Sequence, residues 1–255
     1  MIEQHPFGTA EGKSVTLYSL TNQNGLCAKV TDYGGIVTEM HVPDRHGKLG
    51  DVVLGFGDLA GYLAGHPYFG AIVGRVANRI SNARFELDDA TIELSANKAP
   101  NHMHGGFKGF DKKVWQADAM ATEQGPALRL HYVAADGEEG YPGQLDVTVV
   151  YTMRDDNALE LDIMATTDKP TIVNVVNHTY WNLGDEATVL DHEVQLFAEC
   201  YTPAGRDLVP TGAIAEVDGT AFDFRTAKPI GRDLAEAGGD PVGRPVPPGE
   251  AEERG

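Results

Sequence analysis

The chain has 255 residues, enough for one large domain or two small ones with a sizeable core. Lysine and arginine total 20 against 38 aspartates and glutamates, a formal charge of −18. A field of that sign excludes phosphate backbones and anionic lipid surfaces as natural partners and disfavours strongly anionic small substrates.

The N-terminus, "MIEQHPFGTA", lacks a basic start and an apolar run, so no secretory leader is predicted. No apolar stretch is long enough to cross a bilayer, and the expected address is cytoplasmic. Cys27 and Cys200 are the only cysteines, too few for a disulfide framework, and read as reduced thiols. A short helix is predicted near Ala60–Ala64. "GRVANRI" (74–80) then brings Arg75, Asn78 and Arg79 together. "RFEL" (84–87) and "TIEL" (91–94) flank Asp88-Asp89-Ala90 and read as a hairpin.

Residues 101–115, "NHMHGGFKGFDKKVW", pack two histidines, a Gly-Gly pair, Asp111 and Trp115 into one loop. Strands follow over 127–134, 144–153 and 158–167, where β-branched residues alternate or run together between legible turns. "TIVNVVNHTYWNL" (171–183) and "HEVQLFAECY" (192–201) also read as strands, followed by "DLVPTG" (207–212) and "TAFDFR" (220–225). A second short helix is predicted near Arg232–Ala237. The last eighteen residues, 238–255, contain nine glycines and prolines and read as a disordered tail.

The dominant period is two and no long helical stripe exists, so the fold class is all-β, a sandwich or barrel over residues 1–237. Polar side chains inside apolar strand runs cost free energy unless they are paired or face a cleft. Asn177-His178-Thr179-Tyr180 therefore marks a strand reaching a cleft. Gly105 and Gly106 would let backbone pass close to a ligand. Aromatics beside amides and imidazoles suit a sugar, with its apolar face and rim of hydroxyls. The bland readings stand beside these. His102 reads as a satisfied structural histidine, Trp115 and Trp181 as core fillers, and Asp223 with Arg225 as a loop tie. His102-x-His104 lacks a carboxylate at companion spacing with His178, so no metal site is predicted.

In that order, "GRVANRI", "NHMHGGFKGFDKKVW", "NHTYWNL", "PTG" and "FDFR" resemble the aldose 1-epimerase (galactose mutarotase) family, from the N-terminal strands to about residue 230. Met103 stands where leucine is usual. The resemblance implies a large antiparallel β-sandwich and a reaction without metal or organic cofactor. That reaction interconverts the α and β anomers of free hexoses such as galactose and glucose by acid–base ring opening and closure. It implies His178 as the acid that protonates the ring oxygen and His104 as a second catalytic histidine. Asn78, Arg79, Thr179 and Tyr180 become sugar contacts, with Arg75 a weaker one. An imidazole with an ordinary pKa of about 6.5 suits proton exchange near neutrality.

The family's general-base glutamate lies far downstream of "FDFR", and its sugar-binding aspartate sits in a Gly-aromatic-Asp-His stretch. Here the sequence enters "AGGDPVGRPVPPGEAEERG" instead, and neither Asp240 nor Glu250, Glu252 or Glu253 takes those roles. The expectation is a chain lacking the C-terminal strands, with impaired activity, exposed sheet edges and apolar surface. A sugar-binding remnant without turnover and a hexose-6-phosphate epimerase are the alternatives. Oligomeric state is left open.

Overall fold

A computed structural model describes residues 1–205 and 207–235. The expected tail over 238–255 lies outside the described residues, as do Asp240, Glu250, Glu252 and Glu253. The chain divides into two compact units, Met1–Trp181 and the part from Asn182 onward, so the expected domain over 1–237 spans both.

The first unit opens with five antiparallel strands in sequence order: β1 (Ile2–Ala10), β2 (Lys13–Thr21), β3 (Cys27–Thr31), β4 (Val37–Pro43) and β5 (Leu49–Asp51). A short helix, α1 (Leu59–Leu63), follows where the sequence predicts it. Its N-cap is Asp58, whose carboxylate accepts from the Gly61 amide at 2.9 Å. Short strands come next: β6 (Ile72–Val73), β7 (Arg79–Ile80), the hairpin β8 (Arg84–Leu87) and β9 (Ala90–Glu93), and β10 (His102–Met103). The second large sheet is β11 (Gln116–Thr122), β12 (Gly125–Ala134), β13 (Leu145–Met153) and β14 (Leu159–Thr167), again antiparallel in sequence order.

The two sheets pack face to face, as an all-β sandwich requires. The period-two pattern decides which side chains meet. Leu145, Val147, Val149, Tyr151 and Met153 alternate inward along β13, and Leu128 and Leu130 do so on β12. They close on Leu20, Ala28, Val30 and Val37 of the first sheet, all buried. Full burial of each leucine or valine among these contributes about 1.5–3 kcal/mol. The outer strand β14 is mostly exposed, Met164 included.

Two predicted strands turn out shorter. Within 171–183 only β15 (Val176–Asn177) is a ladder, paired with β6. Isolated bridges join Asn174 to Val76 and Trp181 to Val53. The polar residues of this run explain the difference: Asn177 spends its side chain on the Gly70 carbonyl, the Tyr151 hydroxyl and Thr179, which competes with a regular ladder. In the unit from Asn182 onward, 192–201 yields only β16 (Glu193–Val194) and β17 (Cys200–Tyr201). These pair with β19 (Lys228–Pro229) and β18 (Ala215–Glu216) respectively. Of the predicted second helix, the described residues up to 235 form turns. Both cysteines are free. Among the described residues no helix is long and apolar enough to cross a membrane.

Candidate active site

β7 and β10 run antiparallel, pairing Arg79 with Met103 and Ile80 with His102. That register carries Asn78 to His104, and the two residues bond reciprocally. The His104 amide donates to the Asn78 carbonyl at 2.9 Å, and the Asn78 amide donates to His104 Nδ1 at 3.0 Å. An imidazole nitrogen that accepts an N–H cannot carry the proton, so neutral His104 is the Nε2–H tautomer. The Asn78 side-chain oxygen in turn accepts from Arg79 Nη1 at 3.1 Å. Asn78 and His104 both have left-handed backbones, φ 62° and 51°, a sparsely used region for residues with a Cβ.

His178 arrives from the other side of the sequence. Its amide donates to the Ala71 carbonyl at 2.9 Å and its carbonyl accepts from the Gly70 amide at 3.2 Å, extending the β6–β15 pairing. The Thr179 amide and hydroxyl both meet Asn177 Oδ1, at 3.0 and 2.5 Å, fixing the turn around His178. The His104 and His178 rings stand nearly perpendicular, 80° apart, with centroids at 5.3 Å. Tyr180 stacks on His178 at 5.1 Å. Burial, and then the neighbouring His178, Arg79 and His102, push the His104 pKa down to about 4. This pair is therefore a neutral Nε2–H donor set against a second imidazole. Such a pair can hydrogen-bond and exchange protons with an oxygen-rich ligand.

The sequence candidates divide. His104, His178, Asn78, Arg79, Thr179 and Tyr180 come together, while Arg75 does not. It is 2% exposed, and its guanidinium donates to the carbonyls of Pro142 and Gly143 and to the Thr171 hydroxyl, so it braces the interior. His102 is fully buried and pinned at both nitrogens, by the Ser95 carbonyl and the Tyr141 hydroxyl, both at 2.7 Å. It has the structural character the sequence suggests. Trp115 is core, its indole N–H on the Phe110 carbonyl, whereas Trp181 is 46% exposed. Arg225 ties Asp223, Asp218 and Glu199 together.

The paired glycines have a different reason from the one expected. A Cβ on Gly105 would lie 1.6 Å from the Gly74 carbonyl oxygen, and one on Gly106 would lie 2.1 Å from Glu139 Oε2. They make room for the protein's own backbone and carboxylate. Glu139 is a residue sequence reasoning missed. It accepts from the Phe107 and Lys108 amides, at 3.1 and 2.8 Å, and from the Ser95 hydroxyl, so it clamps the loop beside His104. Asn97 clamps it again through the Met103 and Gly106 carbonyls and the Met103 amide. Tyr68 was missed as well, although its ring touches both imidazoles. Nothing in the local sequence distinguishes these residues from ordinary turn positions, because their partners lie far along the chain.

Among the described residues one group could gather around a metal ion: Glu39, His41 and Asp51, on β4 and β5. Glu39 is already engaged by Lys29 at 2.8 Å and His41 at 2.6 Å.

The family described as "Aldose 1-epimerase" matches residues 16–241. The chain is similar to galactose mutarotase of Rattus norvegicus, 43% identical over 225 residues, covering 88% of this chain and 64% of that protein. It is similar to aldose 1-epimerase of Haemophilus influenzae, 38% identical, covering 92% of this chain and 68% of that protein. Among solved structures, galactose 1-epimerase from Lactobacillus acidophilus NCFM superposes with a TM-score of 0.84 at 31% identity, covering 92% of this chain and 68% of that one. The chain thus spans a little under two thirds of the rat protein's length.

Proposed function

The chain belongs to the aldose 1-epimerase family, and from that premise we propose that it interconverts the α and β anomers of a free aldohexose. The observation that carries the reading is the perpendicular His104–His178 pair at 5.3 Å, with His104 locked as the Nε2–H tautomer by the Asn78 amide. In this reading protonated His178 gives its proton to the ring oxygen, the C1–O5 bond breaks, and the aldehyde forms as the C1 hydroxyl passes its proton to a water molecule. Rotation about C1–C2 and return of the same protons close the ring on the opposite face. His104 donates Nε2–H to a sugar oxygen and steadies the developing charge. Asn78 and Arg79 hold hydroxyls, Thr179 orients the turn that carries His178, and Tyr180 backs the imidazole.

Two features support a neutral sugar as substrate. The chain carries a formal charge of −18, and imidazole, amide and phenol groups make up most of the site. Polarimetry on freshly dissolved α-galactose or α-glucose tests the assignment. The intact chain should speed mutarotation over buffer, and His178→Ala should slow the catalysed rate by roughly 10²–10⁴-fold. A rate for the intact chain no faster than for His178→Ala overturns the reading. Saturable sugar binding beside that result would point to a binding module.

A further inference from the structure

We propose that Tyr68 is a positioning residue of this site: its ring, in contact with both imidazoles, sets the angle between His178 and His104 and keeps water from His104. This rests on the anomer-interconversion reading for its purpose, though not for its geometry.

The Tyr68 ring centroid lies 4.5 Å from that of His104, inclined by 56°, and 5.9 Å from that of His178, nearly parallel at 29°. Tyr180 also stacks on His178, but Tyr68 alone of the two tyrosines has a ring contact to His104 as well. Its backbone is left-handed, φ 61°, an outlier for a bulky side chain that persists only where the surroundings over-determine it. Those surroundings are visible. The Ala71 amide donates to the Tyr68 carbonyl at 3.1 Å. Just beyond, three bonds weld this segment to the His178 turn: Gly70 N–H to the His178 carbonyl, His178 N–H to the Ala71 carbonyl, and Asn177 Nδ2 to the Gly70 carbonyl. Phe69 adds an edge-to-face contact on Tyr180 at 5.2 Å. Tyr68 and His178 are thus held relative to each other through the backbone, and the strained residue is the one that reaches His104.

The groups facing His104 are His178, Arg79 and His102, all of which disfavour a positive charge there, and the Asn78 amide on Nδ1. Burial is the larger influence, and the Tyr68 ring supplies part of it. Burial, reinforced by nearby Asp111, holds the Tyr68 phenol neutral up to about pH 12, so its charge state does not change in the working range.

The test is an NMR titration of histidine ring signals in the wild type, Tyr68→Phe and Tyr68→Leu, beside kcat and KM for mutarotation. Tyr68→Phe keeps the ring. It should leave His104 titrating near its wild-type value and hold kcat within about threefold. Tyr68→Leu should raise the His104 midpoint by about one unit or more towards 6.5 and lower kcat at least tenfold, with KM moving much less. An unchanged His104 midpoint in Tyr68→Leu overturns the proposal. Should that variant fail to fold, ring-to-ring NOEs from Tyr68 to His104 and His178 in the wild type decide, and their absence likewise overturns it. The NMR readouts do not require turnover, so a wild type without mutarotase activity would refute the functional reading and leave the Tyr68 geometry to be judged separately.

Discussion

His104, partly buried, and Asp32, buried, both titrate, and burial moves them in opposite directions. His104 is held down to about 4 by burial and then by the neighbouring His178, Arg79 and His102, while Asp32, 6% exposed with its carboxylate on the Thr16 amide, is pushed up to about 6 by burial. In the unfolded chain they titrate near 6.5 and 3.9. Between about 4 and 6.5 the unfolded chain binds more protons at His104, so that residue makes stability rise with pH. Between about 4 and 6 the folded chain binds more protons at Asp32, so that residue makes stability fall with pH. The two slopes oppose each other in the wild type, and single variants unmask them. Asp32→Asn should make the urea midpoint climb more steeply from pH 4.5 to 6 than in the wild type. His104→Gln, which can still accept the Asn78 amide, should flatten or reverse the climb. Parallel pH profiles for all three proteins would show that neither group sits in the environment assigned to it.

At the scale of elements, the hairpin β8–β9 shows how a turn can be read directly. Asp88 and Asp89 both take positive φ, 49° and 61°, the pairing of a two-residue turn whose twist matches the flanking strands. Aspartate tolerates that conformation but glycine prefers it, so Asp89→Gly should raise stability by roughly 0.5–1 kcal/mol, read as a shift in urea midpoint. Asp89→Val, β-branched at the same φ, should lower it. This hairpin and the long strands of the second sheet were legible because their partners are adjacent in sequence and period two survives in the side chains. The run 171–183 was not, because its apolar residues suggest a strand while Asn174 and Asn177 pair with backbone about a hundred residues earlier. Distance also hid Glu139, whose partners lie 31 to 44 residues earlier, and Tyr68, whose two imidazoles come later in the chain. Arg75, which the resemblance offers as a weaker sugar contact, is enclosed instead by three oxygen acceptors, from Pro142, Gly143 and Thr171, 67 to 96 residues later in the chain. The motif positions at Asn78, Arg79, His104 and His178 needed no such partner to be recognised, since the order of the motifs carried them.

For the molecule as a whole, burial is unevenly distributed between the two units. Among the described residues every buried hydrophobic side chain except Val217 belongs to Met1–Trp181. Tyr151 helps bind that unit together, its hydroxyl donating to the Gly35 carbonyl at 2.8 Å and accepting from Asn177 at 3.0 Å. The part from Asn182 onward is built from strands of two residues each and exposes Leu183, Leu196, Ile214 and Phe197, the last at 92%. Opening a two-residue ladder sacrifices few contacts, whereas releasing β12 or β13 requires the whole core to separate. Amide hydrogen exchange on the intact chain should therefore show the β12 and β13 amides exchanging at least a hundredfold more slowly than those of β16 to β19. The amides of β15 should fall between, because the ladder is short but Asn177 is anchored on Tyr151. Equal protection across the two units would mean that surface exposed in this structure is covered in solution, and the contrast in local stability argued from burial would be lost.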